Sequence, residues 1–157
     1  MILAIVGALA GAAGLPSLRE GLEPLGFLVG HCWRGEMAKT GERDTHCFES
    51  VYGGQHVRER HKVEGGKGVY EGETLYSWDG SGVIFTYWNS LGGVSRGTLR
   101  RDGEKLDFGT GSYTAPDGRS LAYSTYWRRL GEDAYEAVTV SADAPSLNRK
   151  VTFRRVR

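Results

Sequence analysis

From about residue 27 onward, apolar and polar positions alternate in short stretches, and glycine interrupts the alternation every ten to fifteen residues. Gly41, Gly53-Gly54, Gly65-Gly66, Asp79-Gly80, Gly92-Gly93, Asp102-Gly103, Asp117-Gly118 and Gly131 mark the breaks. Period-two alternation between turn signals is the pattern of half-buried antiparallel strands, and its even spacing along one chain is that of a sheet closed on itself. Ten strands are predicted, at about 27–37, 44–52, 55–64, 69–78, 82–90, 93–101, 104–112, 119–128, 133–141 and 148–156. The expected fold is all-β, a single antiparallel up-and-down barrel of about ten strands. Ahead of it, Ser17-Leu18-Arg19-Glu20 has the form of a capping box, which predicts a short N-terminal helix between Pro16 and Leu25 closing one mouth.

Turn chemistry carries the first strands further, because the turn sets the register and the register sets the faces. A first hairpin around Lys39-Thr40 puts Cys32 opposite Cys47 and Trp33 opposite His46. A second at Gly53-Gly54 puts His46 opposite His61, Phe48 opposite Glu59, Glu49 opposite Arg58 and Ser50 opposite Val57. One face then carries Cys32, Arg34, Cys47, Glu49, Arg58, Arg60 and Lys62 and reads as the solvent side. The other carries His31, Trp33, His46, Phe48, Ser50, Val57, Glu59, His61 and Val63 and reads as the interior. Continued onward, the register adds Tyr70, Gly72, Thr74, Tyr76, Trp78, Val83, Phe85, Tyr87 and Asn89 to the lumen. Beyond residue 90 only Leu121, Tyr123, Thr125 and Trp127 define an apolar face. A lumen lined by aromatic and polar groups together is the usual make-up of a small-molecule pocket, and ten strands enclose more room than the eight that already hold one small ligand.

Composition narrows the classes. At 157 residues the chain is one domain, and its 24 glycines suit a meander of tight turns rather than helices. A net charge of +1 argues against a nucleic-acid surface, so the basic end, Arg149, Lys150, Arg154, Arg155 and Arg157, is the solvated face of a last strand. Residues 1–14, MILAIVGALAGAAG, are uncharged and too short to span a bilayer; they read as the apolar core of a secretory signal peptide, without the customary positive start. The barrel domain would then run over 15–157, and the protein would be exported, periplasmic or secreted, with no stable membrane insertion. Two cysteines facing each other on neighbouring strands agree with that compartment and predict a Cys32–Cys47 disulfide.

All four histidines fall between residues 31 and 61. Three of them, His31, His46 and His61, share the predicted inner face with Glu59, a donor set that suits a metal, acid-base work or a hydrogen-bonded interior network. Gly93-Val94-Ser95-Arg96-Gly97 matches G-x-S-x-G, but a nucleophile elbow needs a helix after it and a later histidine, and no histidine follows residue 61. No residue is assigned a catalytic role.

Leu25-Gly26-Phe27-Leu28-Val29-Gly30-His31-Cys32-Trp33-Arg34-Gly35-Glu36, followed by Tyr52-Gly53-Gly54 and Glu59, resembles the opening of calycin-type barrels. It is similar to lipocalin-like bacterial families beginning roughly L-x-x-L-x-G-x-W-x-G, and more distantly to the nitrobindin-like haem barrels. The resemblance implies that Trp33 plugs the barrel end and that the lumen takes a lipophilic small molecule. The late haem-ligating histidine of the nitrobindin-like proteins has no counterpart here, and Met37 stands where their fuller motif has glycine.

The function expected is non-catalytic binding of a small hydrophobic or amphipathic ligand, by a monomer or homodimer that carries no cofactor. Trp33, Phe48, Tyr76, Phe85 and Tyr87 would supply contact area, and His46, Glu59 and His61 would orient a polar group. The alternatives are a metal or haem barrel using His31, His46, His61 and Glu59, a small-molecule enzyme with Glu59 or His61 as acid-base, and an interaction protein with a filled lumen.

Overall fold

The computed structural model describes residues 17–157, so the leader expected at 1–14 lies outside the described residues. Among the described residues, ten strands follow one another: β1 (Cys32–Glu36), β2 (Arg43–Val51), β3 (His56–Glu64), β4 (Tyr70–Trp78), β5 (Val83–Asn89), β6 (Val94–Asp102), β7 (Lys105–Thr114), β8 (Ser120–Arg129), β9 (Ala134–Val140) and β10 (Arg149–Arg155). Each pairs antiparallel with its neighbour in sequence, and β10 returns to β1 to close the barrel. Up-and-down closure leaves no free sheet edge.

The registers of the first hairpins are those the turns predict. Cys32 faces Cys47, Trp33 faces His46, His46 faces His61, and Phe48 faces Glu59. On β4 and β5, Tyr76 faces Phe85 and Thr74 faces Tyr87, so one continuous inner face runs across five strands. The outer face keeps its charges in pairs, with Arg58 and Arg60 both on Glu49 Oε1, at 2.9 and 3.2 Å. Cys32 and Cys47 are joined by a disulfide, their Cα atoms 4.0 Å apart.

The phase changes in β7. Its ladders to β6 and β8 each slip by one position, between Arg96 and Arg100 on one side and between Asp107 and Thr110 on the other. Gly109, at φ +63°, and the Gly109 N–H donated to Asp107 Oδ1 at 2.8 Å form a bulge. Leu106 and Phe108 are buried before it, and Tyr113 faces the cavity after it, so even positions turn inward on one side of the bulge and odd positions on the other.

Among the described residues, the N-terminal helix predicted between Pro16 and Leu25 is reduced to a single 3-10 turn. Residues 17–31 run as successive turns around one 3-10 turn, Glu23–Leu25, and β1 begins at Cys32 rather than near residue 27. Long-range contacts set this path. Arg19 N–H donates to Gly54 O at 2.9 Å, and Gly30 N–H to Phe48 O at 2.9 Å. The segment packs close against the barrel end: a Cβ at Gly54 would strike Ser17 O, and one at Gly21 would strike the Trp78 ring. Leu22, Leu25 and Leu28 are fully buried there, with Trp33 and Tyr135 beneath them. Trp33 Nε1 donates to Leu28 O at 3.3 Å, and Phe27 stacks edge-on to both Trp33 and Tyr135. This end of the barrel is a filled apolar plug.

Candidate functional site

Beyond the plug the barrel is not filled. A cavity of about 400 Å³ occupies the other half and opens past Leu91, in the β5–β6 turn, and Leu147, in the β9–β10 connection. Toward the plug its lining is apolar: Tyr76, Phe85, Phe108, Trp127 and Phe153, with Val151. The rings meet edge-on or tilted, with centroids 4.8 Å apart for Phe108 and Trp127 and 5.6 Å for Phe85 and Phe108. Around the mouth stand Tyr70, Ser95, Tyr113, Tyr123, Thr125, Thr139 and Arg149.

One wall is ionisable. Alternation along β2 turns Asp44, His46 and Phe48 inward, and alternation along β3 turns Glu59 and His61 inward to meet them. Asp44 bridges the two imidazoles, with Oδ2 3.0 Å from His46 Nε2 and Oδ1 3.2 Å from His61 Nδ1. Glu59 Oε1 lies 2.8 Å from His46 Nδ1, an ion-pair approach whose angles are not those of a hydrogen bond. The Tyr76 hydroxyl donates to Glu59 Oε2 at 3.4 Å. On the far side, His61 Nε2 is 3.1 Å from the Tyr87 hydroxyl, which in turn is 2.5 Å from that of Tyr70. Asp44, His46, Glu59 and His61 are all at most 8% exposed.

Burial and pairing compete in this wall. Burial disfavours charge on His46, but the Asp44 and Glu59 carboxylates beside it outweigh burial and raise its pKa to about 9. Burial likewise pushes the two carboxyls up, and the His46 imidazolium more than reverses this, holding Asp44 and Glu59 below the usual carboxylate range. Desolvation raises the Tyr70, Tyr76 and Tyr87 phenols, Tyr76 most plainly by burial beside Glu59. An ionised Asp44 only accepts, so in the metal-free protein His61 donates from Nδ1 and, in that neutral tautomer, accepts a hydrogen bond from the Tyr87 hydroxyl at Nε2.

Of the residues expected to bind ligand, His46, Glu59, His61, Tyr76, Phe85 and Tyr87 line this cavity. Trp33 and Phe48 do not: they face inward as expected but lie at the level of the plug, 0% and 2% exposed. His31 also stands apart from the other histidines. It precedes β1, and its Nε2 is 3.1 Å from Arg155 Nη1. The donors brought together are Asp44, His46 and His61, one atom of each lying within 4.8 Å of the others, with Glu59 behind His46.

Asp44 is the participant that the strand pattern missed. It shares the parity of His46 and Phe48, so extending the alternation one step toward the turn would have placed it inside. Ser95 of the G-x-S-x-G match lies in mid-strand on β6, 2% exposed, with its Oγ bonded to Ser112 O and to the Tyr123 hydroxyl; no helix follows it. His56 points outward and meets Ser77 Oγ at 2.8 Å.

No protein-family model matches this chain, and comparison with curated proteins finds none that matches.

Proposed function

We propose that this chain is an exported, lipocalin-like container that binds one small hydrophobic or amphipathic molecule in its lumen and performs no chemistry on it. The observation that carries the reading is the cavity itself: about 400 Å³, closed at one end by the plug, apolar at depth, and bearing a polar wall and mouth. That volume falls in the range typical of small-molecule sites, and a few convergent polar groups on an apolar background are what fixes a ligand's orientation. The apolar body of the ligand lies against Phe85, Phe108 and Trp127, and its polar group meets the wall formed by His46, Glu59 and His61. The disulfide supports an oxidising compartment, and hence a removable leader at 1–14. Charged residues spread over the outer faces of β2 and β3 oppose a lipid-facing barrel.

Native mass spectrometry of the exported protein, compared with the same sample denatured, tests this. An organic mass near that of a fatty acid or isoprenoid, released on denaturation, supports the reading. A bare chain that also fails to take up a lipophilic fluorescent probe refutes it. Phe85→Trp, which fills the apolar end of the cavity, is expected to weaken probe binding at least tenfold while the protein stays folded.

A further inference from the structure

The ionisable wall has an organisation that ligand orientation alone does not require. Asp44 touches both imidazoles, at 3.0 and 3.2 Å, so one nitrogen of each ring and a carboxylate converge on one region at the edge of the cavity. The other nitrogen of each ring meets its own partner, Glu59 Oε1 at 2.8 Å for His46 and the Tyr87 hydroxyl at 3.1 Å for His61. A carboxylate or hydroxyl beside the second nitrogen of each ligating imidazole is how protein metal sites fix ring orientation; with Nδ1 of His61 on the metal, its proton stands on Nε2, which then donates to the Tyr87 hydroxyl. We propose that Asp44, His46 and His61 form a three-ligand site for a divalent first-row transition-metal ion, with Glu59 and Tyr87 as the groups that orient the two rings.

Four observations of geometry and chemistry support the site. Metal bonds of about 2.0–2.1 Å in tetrahedral arrangement separate neighbouring donors by about 3.3 Å; each imidazole already lies at about that distance from one Asp44 oxygen, and with one donor atom from each residue the set spans 4.8 Å, so it would draw together on binding. Two imidazoles and one carboxylate favour zinc or iron over magnesium or calcium, which prefer oxygen. A divalent cation with ionised Asp44 and Glu59 is also electrically balanced, which matters where four ionisable groups are this deeply buried. His46 Nδ1, buried and without an aligned hydrogen bond among the described residues, keeps Glu59 Oε1 beside it as an ion-pair contact while Nε2 faces Asp44. With only three protein donors, the remaining position opens toward the lumen, where an oxygen or nitrogen of the bound molecule can reach it.

The test is a titration of the chelator-stripped, full-length protein with Co2+, followed by visible absorption, and with Zn2+, followed by calorimetry, with no lipophilic compound present. One Co2+ per chain with ligand-field bands, displaced by one Zn2+, is expected. Asp44→Asn and His61→Gln should each weaken binding by 100-fold or more, Glu59→Gln by about 10- to 100-fold, and the outlying His31→Gln and His56→Gln not at all. Near-ultraviolet circular dichroism checks that each variant is folded. Folded wild-type protein that takes up no Co2+ or Zn2+, or binding that survives His61→Gln but is lost in His31→Gln or His56→Gln, overturns the proposal. Because the titration involves no organic ligand, its failure leaves the container reading standing.

Discussion

Gly72 on β4 lies directly against the His61 imidazole of β3. The two are cross-strand partners, and a Cβ built on Gly72 would sit 2.6 Å from Tyr87 Cε2 and closer still to His61 Nε2. The absence of a side chain at this position therefore leaves room for the His61–Tyr87 hydrogen bond.

Gly72→Ala should break that bond by forcing the two rings apart. A loss of about 1–3 kcal/mol in stability is expected, as for other overpacked sites. Urea unfolding measures the loss, and a shifted His61 resonance in the folded variant would locate it. Unchanged stability with an unshifted resonance would show that the rings have room to spare.

Tyr135 is fully buried between plug and cavity, stacked on Phe153 with ring centroids 4.9 Å apart, and its hydroxyl has no partner among the described residues. A buried hydroxyl without a hydrogen bond costs about 1–3 kcal/mol. Tyr135→Phe should therefore leave stability unchanged or raise it by about 1 kcal/mol in thermal or chemical unfolding. A clear loss would reveal a partner for the hydroxyl.

The metal-free protein should lose stability as pH rises from neutrality. His46 faces Asp44 on its own strand and Glu59 and His61 on β3, while Trp127 and Phe153 approach from β8 and β10. Its folded pKa of about 9 stands above the unfolded value of 6.5, so its contribution is complete below 6.5 and is lost as pH climbs through 9. Asp44 and Glu59 are shifted the opposite way, so their contribution is present above their unfolded pKa values and is lost in acid. Urea midpoints should peak in mildly acid to neutral solution and fall by pH 9.5, and His46→Gln should flatten the alkaline limb. A midpoint that does not move between pH 6.5 and 9.5 would contradict this account.

Much of this is written in the chain. Gly53 and Gly54 set the β2–β3 register, and with it the meeting of His46 and His61. Parity, however, reports which way a side chain points and not its height in the barrel, so Trp33 and Phe48 were legible as interior but not as plug. The bulge at Gly109 hides the phase of the later strands, since one extra residue exchanges odd for even. The capping-box pattern at Ser17–Glu20 is a local signal, whereas the Arg19 to Gly54 bond that overrides it joins distant parts of the chain. Asp44 escaped because it sits at a strand end, where alternation is weakest as a guide.

The disulfide lies on the outer face between β1 and β2, away from the cavity. Replacing Cys32 and Cys47 together by serine should cost about 2–4 kcal/mol in unfolding free energy. Binding of a lipophilic probe by the variant that remains folded should not change. A large loss of affinity in folded protein would mean that the bond shapes the lumen as well as stabilising it.

The ring closes through a short seam. The β1–β10 ladder holds two residue pairs, Trp33 with Arg155 and Arg34 with Arg154, whereas β2 and β3 share a ladder running from Arg43–Glu64 to Val51–His56. Strands β1 to β10 can add one after another as a growing meander, each pairing with the segment just made and closing only a short loop. The last pairing joins opposite ends of the chain and is entropically unlike the rest. Until Arg155 settles over Trp33 the sheet has two open edges and no interior. Cavity, buried carboxylates and plug thus all depend on this one short seam, and a chain cut short before residue 153 would have no vessel at all.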